Sequence, residues 1–155
     1  MSGAGQPSVD SVEIDAGLRV AIVAALWHEE IQESLVANAL ATCEQFGAET
    51  RVQWVPGTFE IPVVAARLAT THDAVVAFGT VVRGGTPHFE YVCDAVTSGL
   101  VRVSLDTGVP VGFGILTCDD YAQAYDRAGF PDSAENKGTE ATTAALATAT
   151  ILRRL

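Results

Sequence analysis

The sequence predicts an α/β protein in which a four-stranded parallel sheet is covered by helices on both faces, and three observations carry that expectation. Four short strand-like runs recur along the chain, residues at helical spacing separate them, and the first and third runs are nearly unbroken apolar stretches rather than alternating ones. Strands alternating with helices in this order imply right-handed crossovers.

Residues 1–17 read as a flexible polar tail, because Gly3, Gly5 and Pro7 break any helix and Val9, Val12 and Ile14 supply at most a short edge strand. A single domain is expected over 18–155. It opens with LRVAIVAAL, Leu18 to Leu26, a strand buried on both faces. Ile31, Leu35, Val36, Ala39, Leu40, Cys43 and Phe46 follow at helical spacing, and Gly47 ends that helix. A second strand covers Thr50 to Val55 and stops at Pro56-Gly57. The next helix starts near Glu60 and fades by Thr71, with Pro62 in its first turn, where a missing N–H does no harm.

AVVAFG, Ala74 to Gly79, is the third strand. Pro87 to Asp106 is a long helix with Phe89, Val92, Val96, Leu100 and Val103 on its inner face. Val109 to Leu116 is the fourth strand, weakened by Gly112 and Gly114. Helices over Asp119 to Ala128 and Ser133 to Arg154 close the chain, the last ending in two cations that complement its dipole.

Composition limits the function. Of 155 residues, nineteen are acidic and nine basic, for a net charge of -10, so the clustered Lys and Arg that grip a phosphate backbone are missing and nucleic acid is excluded as a partner. Any anionic ligand has to be captured locally. The chain has no apolar run long enough for a membrane span and its first residues do not read as a secretory signal, so a cytoplasmic protein without membrane contact is expected. Cys43, Cys93 and Cys118 have neither zinc-type nor redox spacing and read as small core residues; no metal is expected.

In open parallel sheets, ligands lie beyond the carboxyl ends of the strands. After the third strand stands Arg83-Gly84-Gly85-Thr86-Pro87-His88. Two glycines let the backbone approach a ligand, Thr86 can cap the following helix, and Pro87 fits its first position, so free N–H groups face an incoming anion. Arg83 adds a cation. His88 lies at the positive end of the helix dipole, which favours a neutral ring able both to take and to give a proton. Among the other histidines, His72 reads as a surface residue and His28 as a cap or a ligand contact. Trp27, after the first strand, can stack on a planar heterocycle or cover the sheet end; Glu60 can accept from ligand hydroxyls or cap its own helix. The segment after the first strand, ALWHEEI, fits neither a dinucleotide fingerprint nor a P-loop.

The segments VPGTFEIPVVA, GTVVRGGTPHFEYVCDAVTSGL, VSLDTGVPVGFGILTCDD and AENKGTEA, in this order over nearly the whole chain after Leu18, resemble lumazine synthases of riboflavin biosynthesis, with TPHFEYVCDAV the most specific. The resemblance implies a flavodoxin-like three-layer sandwich. It also implies condensation of 5-amino-6-(D-ribitylamino)uracil with 3,4-dihydroxy-2-butanone 4-phosphate, giving 6,7-dimethyl-8-ribityllumazine, phosphate and water without a cofactor or metal. By the same resemblance, Trp27 stacks on the pyrimidine, although many members carry Phe-Asn where this chain has Trp27-His28. Thr58, Phe59 and Glu60 receive the ribityl chain, and Thr80, Val81 and Val82 offer backbone groups to the ring edge. Gly85 and Thr86 bind phosphate, His88 moves protons, and Arg127 holds the phosphate. Phe113 comes from an adjacent subunit, and Lys137 adds a polar contact.

Family members form pentamers, some of them assembled into icosahedral shells, and riboflavin synthase is the pathway neighbour. The stretch Gly129 to Lys137, GFPDSAENK, is longer than the compact GGKAGNK-like turn associated with shell formers, so an isolated pentamer is favoured over a shell.

Overall fold

A computed structural model of the chain describes residues 13–155. These form β1 (Arg19–Ala25), α1 (Glu29–Gln45), β2 (Glu49–Val55), a short 3-10 turn (Thr58–Glu60), α2 (Ile61–Ala69), β3 (Ala74–Val82), α3 (His88–Thr107), β4 (Val111–Cys118), α4 (Tyr121–Tyr125) and α5 (Lys137–Arg154). All strand pairings are parallel, in the order β2-β1-β3-β4. The chain leaves β1 toward β2 on one side and returns to β3 on the other, so the switch point lies between the carboxyl ends of β1 and β3.

The strand period of two divides the core between the sheet faces. Val20, Ile22 and Ala24 of β1 join Ala74, Val76 and Phe78 of β3 against α1 and α5, with Ile31, Leu35 and Leu146. Ala21, Val23 and Ala25 join Val75 and Ala77 against α2 and α3, with Ile61, Val96 and Leu100. The three layers expected from the sequence follow from this division.

Boundaries differ in instructive ways. β3 continues past Gly79 to Val82, because β4 runs beside it in register through Thr80↔Leu116, Val81↔Thr117 and Val82↔Cys118. Thr80, Val81 and Val82 therefore belong to the strand, not to the loop after it. Thr58–Glu60 makes a separate turn before α2. The final helix starts at Lys137 rather than Ser133, since Asn136 is its cap and accepts from the Thr139 N–H at 3.0 Å. The preceding helix stops at Tyr125: Gly129 is left-handed (φ 79), and the loop that follows holds itself through Ala134 N–H to Asp126 Oδ1 (2.9 Å) and Ser133 Oγ to the Tyr125 carbonyl (2.6 Å). The two closing cations also make side-chain pairs, Arg153 with Asp73 and Arg154 with Glu13 and Asp15. The expectation of a flexible tail falls for residues 1–12 outside the described residues.

Gly112, read from sequence as a weak point of β4, has a packing role. A Cβ there would overlap the main-chain oxygen of Ala141 and lie 3.1 Å from Ala145 Cβ, so α5 can reach the strand only over a glycine. Gly112→Ala is expected to destabilise the fold by about 1–3 kcal/mol, read as a lower midpoint in denaturant at constant slope.

Candidate active site

β1 delivers Trp27 to the crevice. Leu26 N–H still donates to the Val55 carbonyl (2.9 Å), and the next side chain stands 69% exposed. His28 then takes a left-handed backbone conformation (φ 59, ψ 55), alone among the described non-glycine residues in having positive φ, a state that costs an L-residue about 1–2 kcal/mol. His28 occupies the N-cap position of α1 but makes no side-chain cap bond. Its ring instead lies 6.1 Å from that of Tyr121, whose hydroxyl donates to Glu30 Oε2 at 2.9 Å. The sequence reading misses Tyr121, because its proximity arises from the β4–α4 connection and leaves no local spacing signal.

The turn after β2 brings in the next group. Thr58 is buried against Gly79, where a Cβ would come within 2.5 Å of the Thr58 methyl and 2.7 Å of its hydroxyl, so glycine is required at that contact. Phe59 and Glu60 are exposed. Glu60 stands at the N-cap position of α2 without making a side-chain cap bond, which removes the capping role as an account of its carboxylate. A Cβ built on Gly57 would lie 3.0 Å from Glu60 Oε2 and 3.7 Å from Trp27 Nε1. Indole and carboxylate thus flank one small space over that glycine.

From β3 come Thr80, buried, and Val81 and Val82, half-buried, followed by the exposed Gly84, Gly85 and Thr86, with open space around both glycines. Pro87 (φ -63, ψ -1) is the N-cap of α3 and no side chain caps the helix, so Thr86 does not take the capping role the sequence suggested. The first turn of this twenty-residue helix keeps main-chain donors for an anion. His88 is its first residue and is exposed.

Arg83 corrects a sequence expectation. Its Nε donates to Asp119 Oδ1 (2.9 Å), its Nη1 to Glu90 Oε1, and its guanidinium lies 4.2 Å above the Phe89 ring. Arg83 holds the Glu90 carboxyl below its ordinary range. Its charge is therefore shared with two carboxylates, and it ties the glycine loop to the start of α3 and the end of β4.

Phe113, Arg127 and Lys137 lie elsewhere. They line a groove of about 950 Å³ along the outer edge of β4 and α5, and none of Trp27, Glu60, Gly85, Thr86 or His88 lines it. Phe113 is 46% exposed there. Arg127 donates from Nη1 to the Gln123 carbonyl (2.8 Å) and stands only 3.9 Å from Glu135. Lys137 has closer partners, with Glu135 and Glu140 each at 2.5 Å. Burial works against its charge, but those carboxylates outweigh it and hold the ammonium above its ordinary value. One chain thus carries the sequence-predicted residues as two groups: one at the strand ends, the other along the β4 edge.

Among the described residues, no group of three His, Cys, Asp or Glu side chains is placed to hold a metal, and no helix is long and apolar enough to cross a membrane. Cys43 and Cys118 are buried, and burial pushes the Cys43 thiol up to about 11.

Comparison with known proteins adds a second line. The family profile described as 6,7-dimethyl-8-ribityllumazine synthase matches residues 17–153. A 6,7-dimethyl-8-ribityllumazine synthase of Pseudarthrobacter chlorophenolicus is 57% identical over 159 residues, covering 99% of each chain. Proteins of the same description from Saccharopolyspora erythraea and Leifsonia xyli subsp. xyli are each 58% identical over 156 residues, covering all of this chain and 94% and 99% of theirs.

Proposed function

The chain belongs to the 6,7-dimethyl-8-ribityllumazine synthase family, and from that premise we propose how its own residues carry the reaction. The enzyme is a transferase of riboflavin biosynthesis that condenses 5-amino-6-(D-ribitylamino)uracil with 3,4-dihydroxy-2-butanone 4-phosphate to 6,7-dimethyl-8-ribityllumazine, phosphate and water.

The proposed pyrimidine site lies at the switch point. Trp27 stacks on the ring, the main chain of Thr80 and Val82 meets its edge while that of Val81 faces β4, and the ribityl chain runs over Phe59 toward Glu60, which accepts from its hydroxyls. Thr58 contributes main chain only, its side chain being buried against Gly79. The phosphorylated ketone places its phosphate at Gly84-Gly85-Thr86, before the uncapped start of α3. The observation that carries this reading is that open, glycine-lined mouth with His88 as the first residue of the helix behind it.

In the proposed sequence the 5-amino group attacks the ketone and water leaves to give an imine. Loss of a carbon-bound proton then expels phosphate to leave an enol, which takes a proton on its terminal carbon and gives up its hydroxyl proton to become a methyl ketone. The ribityl-bearing nitrogen adds to that carbonyl, closing the second ring with loss of another water. Each step moves a proton, for which His88 serves as acid and base. Holding two reactants in one crevice contributes further, since well-oriented encounters are worth about 7–11 kcal/mol of barrier.

Because Phe113, Arg127 and Lys137 lie along β4 and away from the mouth, the reading places them in the site of an adjoining copy. The groove of one subunit closes over the mouth of the next in a closed ring. We favour an isolated cytoplasmic pentamer. Sedimentation is expected to give a particle of about 81 kDa, five copies of the 16.2 kDa chain, with a particle more than ten times heavier, a shell, as the contrary result.

Mixing the chain with both substrates and following lumazine absorbance tests the activity. Product formation is expected; flavin or lumazine binding without turnover would mark the chain as a binding protein instead.

A further inference from the structure

Gln32 is fully buried, 0% exposed, within the apolar stripe of α1 formed by Ile31, Leu35, Val36 and Ala39. A buried carboxamide needs partners for both of its ends. The β1–β3 ladder ends at Ala24↔Phe78, whereas β3 itself continues to Val82. Beyond Phe78, the edge of β3 that faces β1 has no strand beside it.

The Gln32 carboxamide stands there. Its Nε2 donates to the Phe78 carbonyl at 3.2 Å, and its Oε1 accepts from the Thr80 N–H at 3.1 Å and from the Thr80 hydroxyl at 2.8 Å. The reverse amide orientation keeps only the hydroxyl bond and sets the amide oxygen against the Phe78 carbonyl and the NH2 against the Thr80 N–H, so the satisfied orientation is adopted. One side chain thereby replaces a strand residue, giving the ladder an acceptor and a donor at the point where β1 turns away toward Trp27.

Residues of a strand alternate in the edge toward which their N–H and C=O point, so Phe78, Thr80 and Val82 share the edge facing the switch point. We propose that Gln32 is a positioning residue for the pyrimidine: by completing the ladder at Phe78 and Thr80, it aims the remaining main-chain groups of Thr80 and Val82 at the ring edge. This rests on the reading that the main chain of Thr80 and Val82 binds the pyrimidine. A strand residue in place of Gln32 would cover that edge, whereas a side chain reaching up from the helix below satisfies Phe78 and Thr80 and leaves the crevice open.

The test uses Gln32→Met, which keeps length and removes both polar ends. The KM for the pyrimidine is expected to rise about tenfold, the effect of roughly one net hydrogen bond, with the KM for the phosphorylated ketone within twofold and kcat little changed. Equal rises in both KM values, or none, would overturn the role. Should this variant not fold, Gln32→Ser, which leaves room for a water between Phe78 and Thr80, carries the same comparison of the two KM values. Amide hydrogen exchange of the native chain with the pyrimidine alone separates loss of the pyrimidine site from loss of the Gln32 role. Protection at the Val82 amide supports the site reading, the Thr80 N–H being held by Gln32 Oε1 in the free chain already, and its absence overturns that reading together with the role of Gln32. Equal protection in native and Gln32→Met chains, with unchanged KM, overturns Gln32 alone.

Discussion

Replacing His88 with alanine is expected to lower kcat by about 100- to 10,000-fold while both KM values stay within a few-fold of native. The size follows from what general acid–base catalysis contributes, and the direction from where His88 stands. It is the exposed first residue of α3, a helix of twenty residues whose start no side chain caps. The removed ring supplies no phosphate contact in this account, since Gly84, Gly85 and the first-turn amides do so. Binding therefore survives while imine formation, phosphate expulsion and ring closure each lose their proton carrier. Steady-state kinetics with each substrate varied in turn provides the check, and unchanged turnover would remove His88 from the mechanism.

Arg127→Ala is expected to act on the other constant. Its guanidinium is half-exposed in the β4 groove, bonded to one carbonyl and loosely placed against Glu135 at 3.9 Å, so it retains charge to offer a phosphate. A charge-assisted hydrogen bond is worth about 1.5–3 kcal/mol, or roughly 10- to 150-fold in the KM of the phosphorylated ketone, with the pyrimidine KM little altered. Lys137 provides the internal comparison. Held at 2.5 Å by both Glu135 and Glu140, it has less charge to give, and Lys137→Ala should move the ketone KM much less. A Lys137 effect equal to that of Arg127 would contradict this ranking.

The layers of the fold were legible because β1 and β3 are buried on both faces, which leaves nearly continuous runs of Val, Ile and Ala in the sequence. Strand ends were less legible. The extension of β3 to Val82 depends on β4 lying alongside, a pairing that no local pattern encodes. The start of α5 was misplaced by four residues because Ser133 is a good cap by type, yet its hydroxyl bonds back to the Tyr125 carbonyl and Asn136 caps instead. Thr86 misled for a similar reason, with Pro87 taking the cap position. Arg83 looked like an anion ligand because Asp119, one of its partners, lies 36 residues away in sequence. Gln32 did leave a signal: it is a polar residue at helical spacing from Leu35, Val36 and Ala39, on a face that is otherwise apolar.

The central claim is that the strand-end mouth of one chain works with the β4 groove of another. Co-expression of His88→Ala and Arg127→Ala chains tests it most directly, because each variant alone is impaired and neither can repair its own site. If Arg127 of the partner subunit completes the site that His88 serves, random mixing restores intact pairs at about one site in four, and turnover at limiting ketone rises well above that of either variant. If both residues serve the same chain's site, every site keeps one lesion, and the mixture shows no more activity than the average of its parents.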